Sequence, residues 1–163
     1  MKLEEMINKV HCADCLEFMK MIPDNSIDLV VTSPPYDNLR DYNGYSFDFD
    51  GIAKELFRII KKGGVIVWVV GDSTVNGSES GTSFKQALYF KEIGFNIHDT
   101  MIYHKYSKPL THNRYEQRFE YMFILSKGTP NIFNGIKDVK NKQFGNKIKT
   151  KTFEIVTGLL NLR

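Results

Sequence analysis

The sequence predicts an α/β fold, and three observations predict it. Two apolar runs rich in β-branched residues, 27–31 (Ile-Asp-Leu-Val-Val) and 65–70 (Val-Ile-Val-Trp-Val-Val), read as buried strands. Between them, Ile52, Leu56, Ile59 and Ile60 fall at helical spacing within residues 50–62, the pattern of an amphipathic helix. The first run then stops at Pro34 and Pro35. Both lack an N–H and fix φ, and Ser33, standing before a proline, is pushed to an extended conformation. The result is a stiff loop at the carboxyl end of a strand, where open α/β sheets place their ligands.

At 163 residues the chain has room for one domain with a sizeable core. Charge is near balance, 22 Lys+Arg against 19 Asp+Glu, so net charge alone does not point to nucleic acid. Its distribution says more. Residues 127–151 hold seven lysines (127, 137, 140, 142, 147, 149, 151) and one acid, Asp138. That stretch reads either as a footprint for phosphates or as a solvated lysine-rich tail. Cys12 and Cys15 form a Cys-x-x-Cys, but His98, His104 and His112 do not complete a metal set, so two reduced thiols and no metal are expected. No run has the length of a signal peptide core or a membrane span, which predicts a soluble, cytoplasmic protein that does not engage membranes.

The elements follow in order. Residues 1–9 form a short lead, and 16–21 a helix for which Asp14 is a candidate N-cap. Pro23-Asp24-Asn25-Ser26 is a turn cluster leading into the first strand. The run 37–45 is polar and aromatic without period, either a functional loop beside the proline pair or a surface turn. Asp50 is the expected N-cap of the helix over 50–62, and Gly63-Gly64 its stop. The strand over 65–70, apolar throughout, is expected to be buried on both faces. Gly71-Asp72 closes it at the same sheet edge as Ser33. Residues 74–82, rich in Ser and Gly, read as a flexible loop, and 83–93 as a helix stopped by Gly94. Residues 95–104 and 119–126 read as two further strands.

The proline loop suggests a chemistry. Consecutive prolines leave backbone carbonyls that no local N–H satisfies, so those oxygens can point into a pocket. A nucleobase amino group is a poor nucleophile because its lone pair is delocalised into the ring. Accepting its hydrogens on the Pro34 carbonyl and the Ser33 hydroxyl draws the nitrogen toward a tetrahedral, nucleophilic state. Alignment of donor and acceptor lowers the barrier further. Tyr36 offers a flat face on which an extruded base can stack. Such a loop fits methyl transfer to an amino nitrogen.

Thr-Ser-Pro-Pro-Tyr36 resembles the (Asp/Asn/Ser)-Pro-Pro-(Tyr/Phe) signature of S-adenosylmethionine-dependent DNA amino-methyltransferases. Ala13-Asp-Cys-Leu-Glu17 and Ile22-Pro-Asp-Asn-Ser-Ile-Asp28 resemble the lead-in of members whose chain begins at the catalytic half. The resemblance implies a partial Rossmann-like class I methyltransferase sheet in circularly permuted order. The family order is 3-2-1-4-5-7-6, with strands 3, 4, 5, 6 and 7 present here and strands 1 and 2 missing. It implies a strand at 9–12, with Asp14 and Cys15 at its end as cofactor-binding residues, and Ser33, Pro34, Pro35 and Tyr36 as the catalytic loop. Arg40 and Tyr42 become candidates for the DNA backbone or displaced base. Asp72 either lines the base pocket or is a turn residue, and Tyr103 either faces the flipped base or belongs to the core. Glu120 is expected to pair with Arg114 or Arg118. Residues 1–127 would form the catalytic half, and 128–163 the start of a target-recognition region.

A complete member would continue with a Phe-x-Gly-x-Gly loop for the methionine part of the cofactor, and no such loop occurs in these residues. The expected partners are therefore double-stranded DNA and a complementary C-terminal half or homodimer partner, with a cognate restriction enzyme as a further one. The isolated chain, whether truncation, split half or decayed gene product, is expected to be inactive. The alternative is a non-catalytic DNA-binding or assembly module. RNA or protein-glutamine methylation is a third reading, disfavoured by Ser33 and the basic stretch.

Overall fold

The computed structural model describes residues 3–35, 47–106, 115 and 117–135. Tyr36, Arg40, Tyr42, Arg114 and the lysines from 137 onward lie outside the described residues. The chain divides into two units, Met1–Phe133 and Asn134–Arg163, and every element named below belongs to the first.

Two short helices, α1 (Leu3–Met6) and α2 (Cys15–Met19), precede the first strand, β1 (Ile27–Thr32). Asp14 caps α2, its Oδ1 accepting from the Glu17 N–H at 3.0 Å. The strand expected at 9–12 does not form: these residues are irregular and Val10 is fully exposed. Among the described residues no neighbouring strand satisfies its backbone ladder there, and a lone extended segment gains nothing from strand geometry.

Helix α3 (Phe49–Ile59) is capped by Asp48 rather than Asp50, with Asp48 Oδ1 accepting from Gly51 N–H at 3.0 Å. Asp50 instead lies in the first turn, where its charge complements the helix dipole. Gly63-Gly64 does not stop this helix. It ends at Ile59, and β2 (Ile60–Val70) begins at the next residue and runs through both glycines. Lys127 makes the sharp exit stable. Its Nζ donates to the carbonyls of Phe57 (2.7 Å) and Ile60 (3.0 Å) and to Asn25 Oδ1 (2.9 Å). The same ammonium stands 4.5 Å over the Phe57 ring. Lys127 therefore caps a helix C-terminus and leaves the set of lysines available to phosphates. At Gly63, φ is +82°, and the bent chain there accepts from Asn131 N–H at 3.0 Å and donates to Lys127 O at 2.7 Å.

After β2 the expected flexible loop is a hairpin of β3 (Thr74–Val75) and β4 (Ser78–Glu79). Asn76 and Gly77 make the turn with φ of 50° and 81°, the left-handed pair that closes two-residue hairpins. Helix α4 (Thr82–Glu92) follows, then β5 (Asn96–His104) and β6 (Phe119–Ser126).

The main sheet has four strands in the order β1-β2-β6-β5. The β1–β2 pair is parallel, while β2–β6 and β5–β6 are antiparallel. The sheet is thus mixed, with one parallel and two antiparallel pairings. Helices α3 and α4 bury one face, where Ile66, Trp68 and Val70 are at most 1% exposed and pack with Leu56, Phe90 and Leu125. Among the described residues no helix covers the other face. Val65, Val67 and Val69 are only half-buried, and Leu29 and Val31 are 57% and 65% exposed. Burial of β2 on both faces, expected from its unbroken apolar run, is not seen among the described residues.

Candidate functional site

The candidate site grows from the carboxyl end of β1. Its parallel pairing with β2 sets Val30 beside Ile66 and Thr32 beside Trp68, on the helix-covered side. Past Thr32 the prolines prevent the strand from continuing. Pro34 is buried and Pro35 half-buried, while Ser33 is exposed. The Ser33–Pro35 turn lines a cavity of about 240 Å³. Its other walls are Val30 and Thr32 of β1, Trp68 of β2, Ile52 and Leu56 of α3, and Met19 of α2. Cys15 and Phe47 complete the lining. The walls are apolar and interrupted by a few polar groups, a composition suited to a flat ring with one or two hydrogen-bonding edges.

The arrangement brings together two site expectations that lie 18 positions apart in sequence, Cys15 and Ser33, at one cavity. Asp14, beside Cys15, is exposed, and its Oδ1 is occupied by the α2 cap. Any adenine amine it receives must therefore share the carboxylate with the Glu17 N–H.

Asp72 and Tyr103 stand elsewhere. Asp72 accepts from Ser83 N–H at 2.9 Å, from Ser80 Oγ at 3.1 Å and from the Ser83 hydroxyl, so it anchors α4 to the end of β2. Tyr103 is half exposed on β5, paired with Glu120 and separated from β1 by two intervening strands. Neither lines the cavity. Glu120 is engaged by Lys105 at 2.9 Å, a partner the sequence did not suggest. Cys12 and Cys15 are exposed thiols, and no group of three metal-ligating side chains occurs among the described residues.

Sequence reasoning missed Phe47 and Trp68 as lining residues, and Arg58 as the group that positions one wall. The guanidinium donates to Met19 O (2.7 Å) and Ile22 O (2.8 Å), and pairs with Glu55 (2.6 Å) and Asp24 (2.5 Å). It thus fastens α2, and with it Cys15 and Met19, to α3. Its hydrogen bonds to Glu55 first, then to Asp24, hold its pKa above the usual arginine value. Trp68 is fixed from behind by donation of its Nε1–H to Gln86 Oε1 at 2.8 Å. Its isolation among valines was the available signal, since an indole N–H needs a buried partner.

The chain is similar to known DNA methylases. Residues 27–155 match the DNA methylase family model N6_N4_Mtase. The orphan methyltransferase M.BamHII of Bacillus amyloliquefaciens is 63% identical over 127 residues, covering 77% of this chain and 48% of M.BamHII. A DNA modification methylase of Thermus thermophilus, TTHA0409, solved with S-adenosyl-L-methionine, superposes with a TM-score of 0.56 at 26% identity, covering 77% of this chain and 54% of that one. The PvuII DNA methyltransferase, cytosine-N4-specific, superposes with a TM-score of 0.60 at 24% identity, which speaks for the fold, covering 72% of this chain and 49% of that one. The chain thus spans about half the length of each of these relatives. With most of its residues inside the family match, from β1 onward, the chain belongs to the N6_N4_Mtase family of DNA methylases.

Proposed function

We propose that the chain is the catalytic half of an S-adenosylmethionine-dependent DNA amino-methyltransferase, acting on cytosine N4 or adenine N6 of a base flipped out of double-stranded DNA. The observation that carries this reading is the Ser33–Pro35 turn closing β1 and lining the same cavity as Cys15. Ser33 and the Pro34 carbonyl would take the hydrogens of the target amine, and Tyr36 would stack on the base. Asp14 and Cys15 would hold the adenine end of S-adenosylmethionine, whose sulfonium supplies the methyl group. The apolar cavity fits a ring of that kind, while the methionine end has no glycine-rich loop in these residues. Arg40, Tyr42, Asp72 and Tyr103 remain candidates for contacts with DNA or base.

The same reading makes the sheet a circularly permuted one that lacks its first two strands, with 1–127 as catalytic half and 128–163 as the beginning of target recognition. It places the protein in the cytoplasm, with a restriction enzyme as a natural companion, and makes the isolated chain inactive. The half-length span also fits a second reading, a DNA-binding or assembly module without turnover.

Transfer of a labelled methyl group from S-adenosylmethionine to DNA separates the two. The chain is assayed alone and after co-expression with the part of M.BamHII outside the match. Activity only in the mixture, abolished by Ser33→Ala and by Tyr36→Ala with DNA binding retained, is the expected result. An active mixture indifferent to Ser33→Ala would remove the proposed catalytic loop, and vigorous turnover by the chain alone would remove the half-enzyme reading.

A further inference from the structure

We propose that Cys12 and Cys15 are a redox pair, closing reversibly to a disulfide that reshapes one wall of the cavity. The pairing of the thiols has its grounds in the fold. Its effect on S-adenosylmethionine rests on the function proposed above for Asp14 and Cys15.

Both thiols are free and exposed, so small oxidants and reductants reach them. They are three positions apart, and a straight chain would hold their Cα atoms roughly 10 Å apart, beyond the ~7 Å that a disulfide spans. The chain is not straight there. It bends at Ala13 and enters α2 at Cys15 through the Asp14 cap. His11, next to Cys12, has its ring centroid 4.7 Å from that of Phe18, and its Nε2 stands 3.1 Å from the Met6 carbonyl oxygen. Phe18 follows Cys15 by three positions on α2, the spacing that puts two side chains on one helix face. The His11–Phe18 contact therefore folds residues 11–12 back along the face that carries Cys15.

Cys15 lines the cavity beside Met19 and Ser33, and Cys12 does not. The pair thus joins a residue of the site to one outside it. Turning the Cys15 sulfur toward Cys12 withdraws a polarisable group from that wall. The closed ring also takes in the backbone of Asp14, whose Oδ1 caps α2.

The co-reactant is a low-molecular-weight disulfide, with glutathione disulfide as the probe. One protein thiolate attacks a sulfur of the probe, leaving a mixed disulfide and one glutathione thiol. The second protein thiolate attacks the protein sulfur of the mixed disulfide, closes the Cys12–Cys15 bond and expels the other glutathione. Two protein thiols give up two electrons and two protons, and one glutathione disulfide becomes two thiols. Excess reduced glutathione reverses both exchanges.

The test equilibrates the full chain across ratios of oxidised to reduced glutathione, quenches with acid and reads intact mass and peptide maps. Loss of the mass of two hydrogens without bound glutathione, mapped to Cys12 and Cys15, is expected, and reduction restores it. Cys12→Ser should stop at the mixed disulfide on Cys15. Closure should be favoured at least about fivefold in the folded chain over the chain in urea, and His11→Ala should remove most of that advantage. Trp68, the single tryptophan, lines the same cavity. Its emission should shift on closure and return on reduction, while a variant with both cysteines changed to serine stays still. Two thiols that survive the most oxidising mixture, a stable mixed disulfide on the unsubstituted chain or disulfide-linked dimers would overturn the proposal. So would closure no easier than in urea, closure unmoved by His11→Ala, or a tryptophan blind to it. Binding of S-adenosylmethionine, read by equilibrium dialysis, should weaken at least about tenfold on oxidation. Binding that is unchanged, or absent in both states, would leave the redox pair standing and remove the cofactor role of Asp14 and Cys15.

Discussion

The two faces of β2 are built from almost the same residues and live in opposite surroundings. Ile66, Trp68 and Val70 are at most 1% exposed beneath α3 and α4, while Val65, Val67 and Val69, alternating with them, are half-buried. Apolar content therefore tells how many faces a strand is suited to bury, and the helices present in the chain decide which face is covered. On the covered side the aromatic rings interlock. Phe90 meets Trp68 edge-on at 5.0 Å and Phe95 at 5.7 Å. On the other side the valines stand beside Leu29 and Val31 of β1 and Met122 and Ile124 of β6.

That contrast can be broken most severely at Trp68. Trp68→Ala removes the largest fully buried side chain and one cavity wall, and should cost about 3–5 kcal/mol in urea unfolding. Lys127→Met acts on the helix layer itself, leaving the α3 carbonyls without their ammonium donor, and should cost about 2 kcal/mol by the same measurement. Gln86→Leu keeps the packing and strands the indole N–H, for an expected loss of about 1–2 kcal/mol, read also as a shift in the emission of the single tryptophan. At the other extreme, Val31→Ala on the bare face should change stability of the isolated chain by less than about 0.5 kcal/mol. A loss at Val31 as large as that at Gln86 would mean that this face is already covered in solution, and the comparison would fail.

The sheet was readable because its strands announce themselves by composition. Residues 119–126 were bounded as observed, and the turn after β1 follows from two prolines that permit little else. The ends of α3 were misjudged for a physical reason. Glycine pairs stop helices only when no other group satisfies the last carbonyls, and here Lys127, 70 positions from Phe57, does so. Asp48 outcompeted Asp50 as cap through a contact that spacing alone leaves ambiguous. The cavity was half legible. Cys15 and Ser33 came from local motifs, while Phe47, Trp68 and the Arg58 clamp depend on tertiary neighbours. Of the two readings of Asp72, the turn residue has the visible partners, since its oxygens accept from Ser80 and Ser83 at the start of α4, a contact that spacing does not show.

Because Ile59 ends α3 and Ile60 begins β2 with no intervening residue, helix and strand behave as one bent beam. Ile52 and Leu56 on the first arm and Trp68 on the second all line the cavity, so that side of the chamber has no slack with which to adapt its shape. The facing wall is tied to the same beam, because Arg58 of α3 holds the Met19 and Ile22 carbonyls at the end of α2, so α2 moves with the beam and not against it.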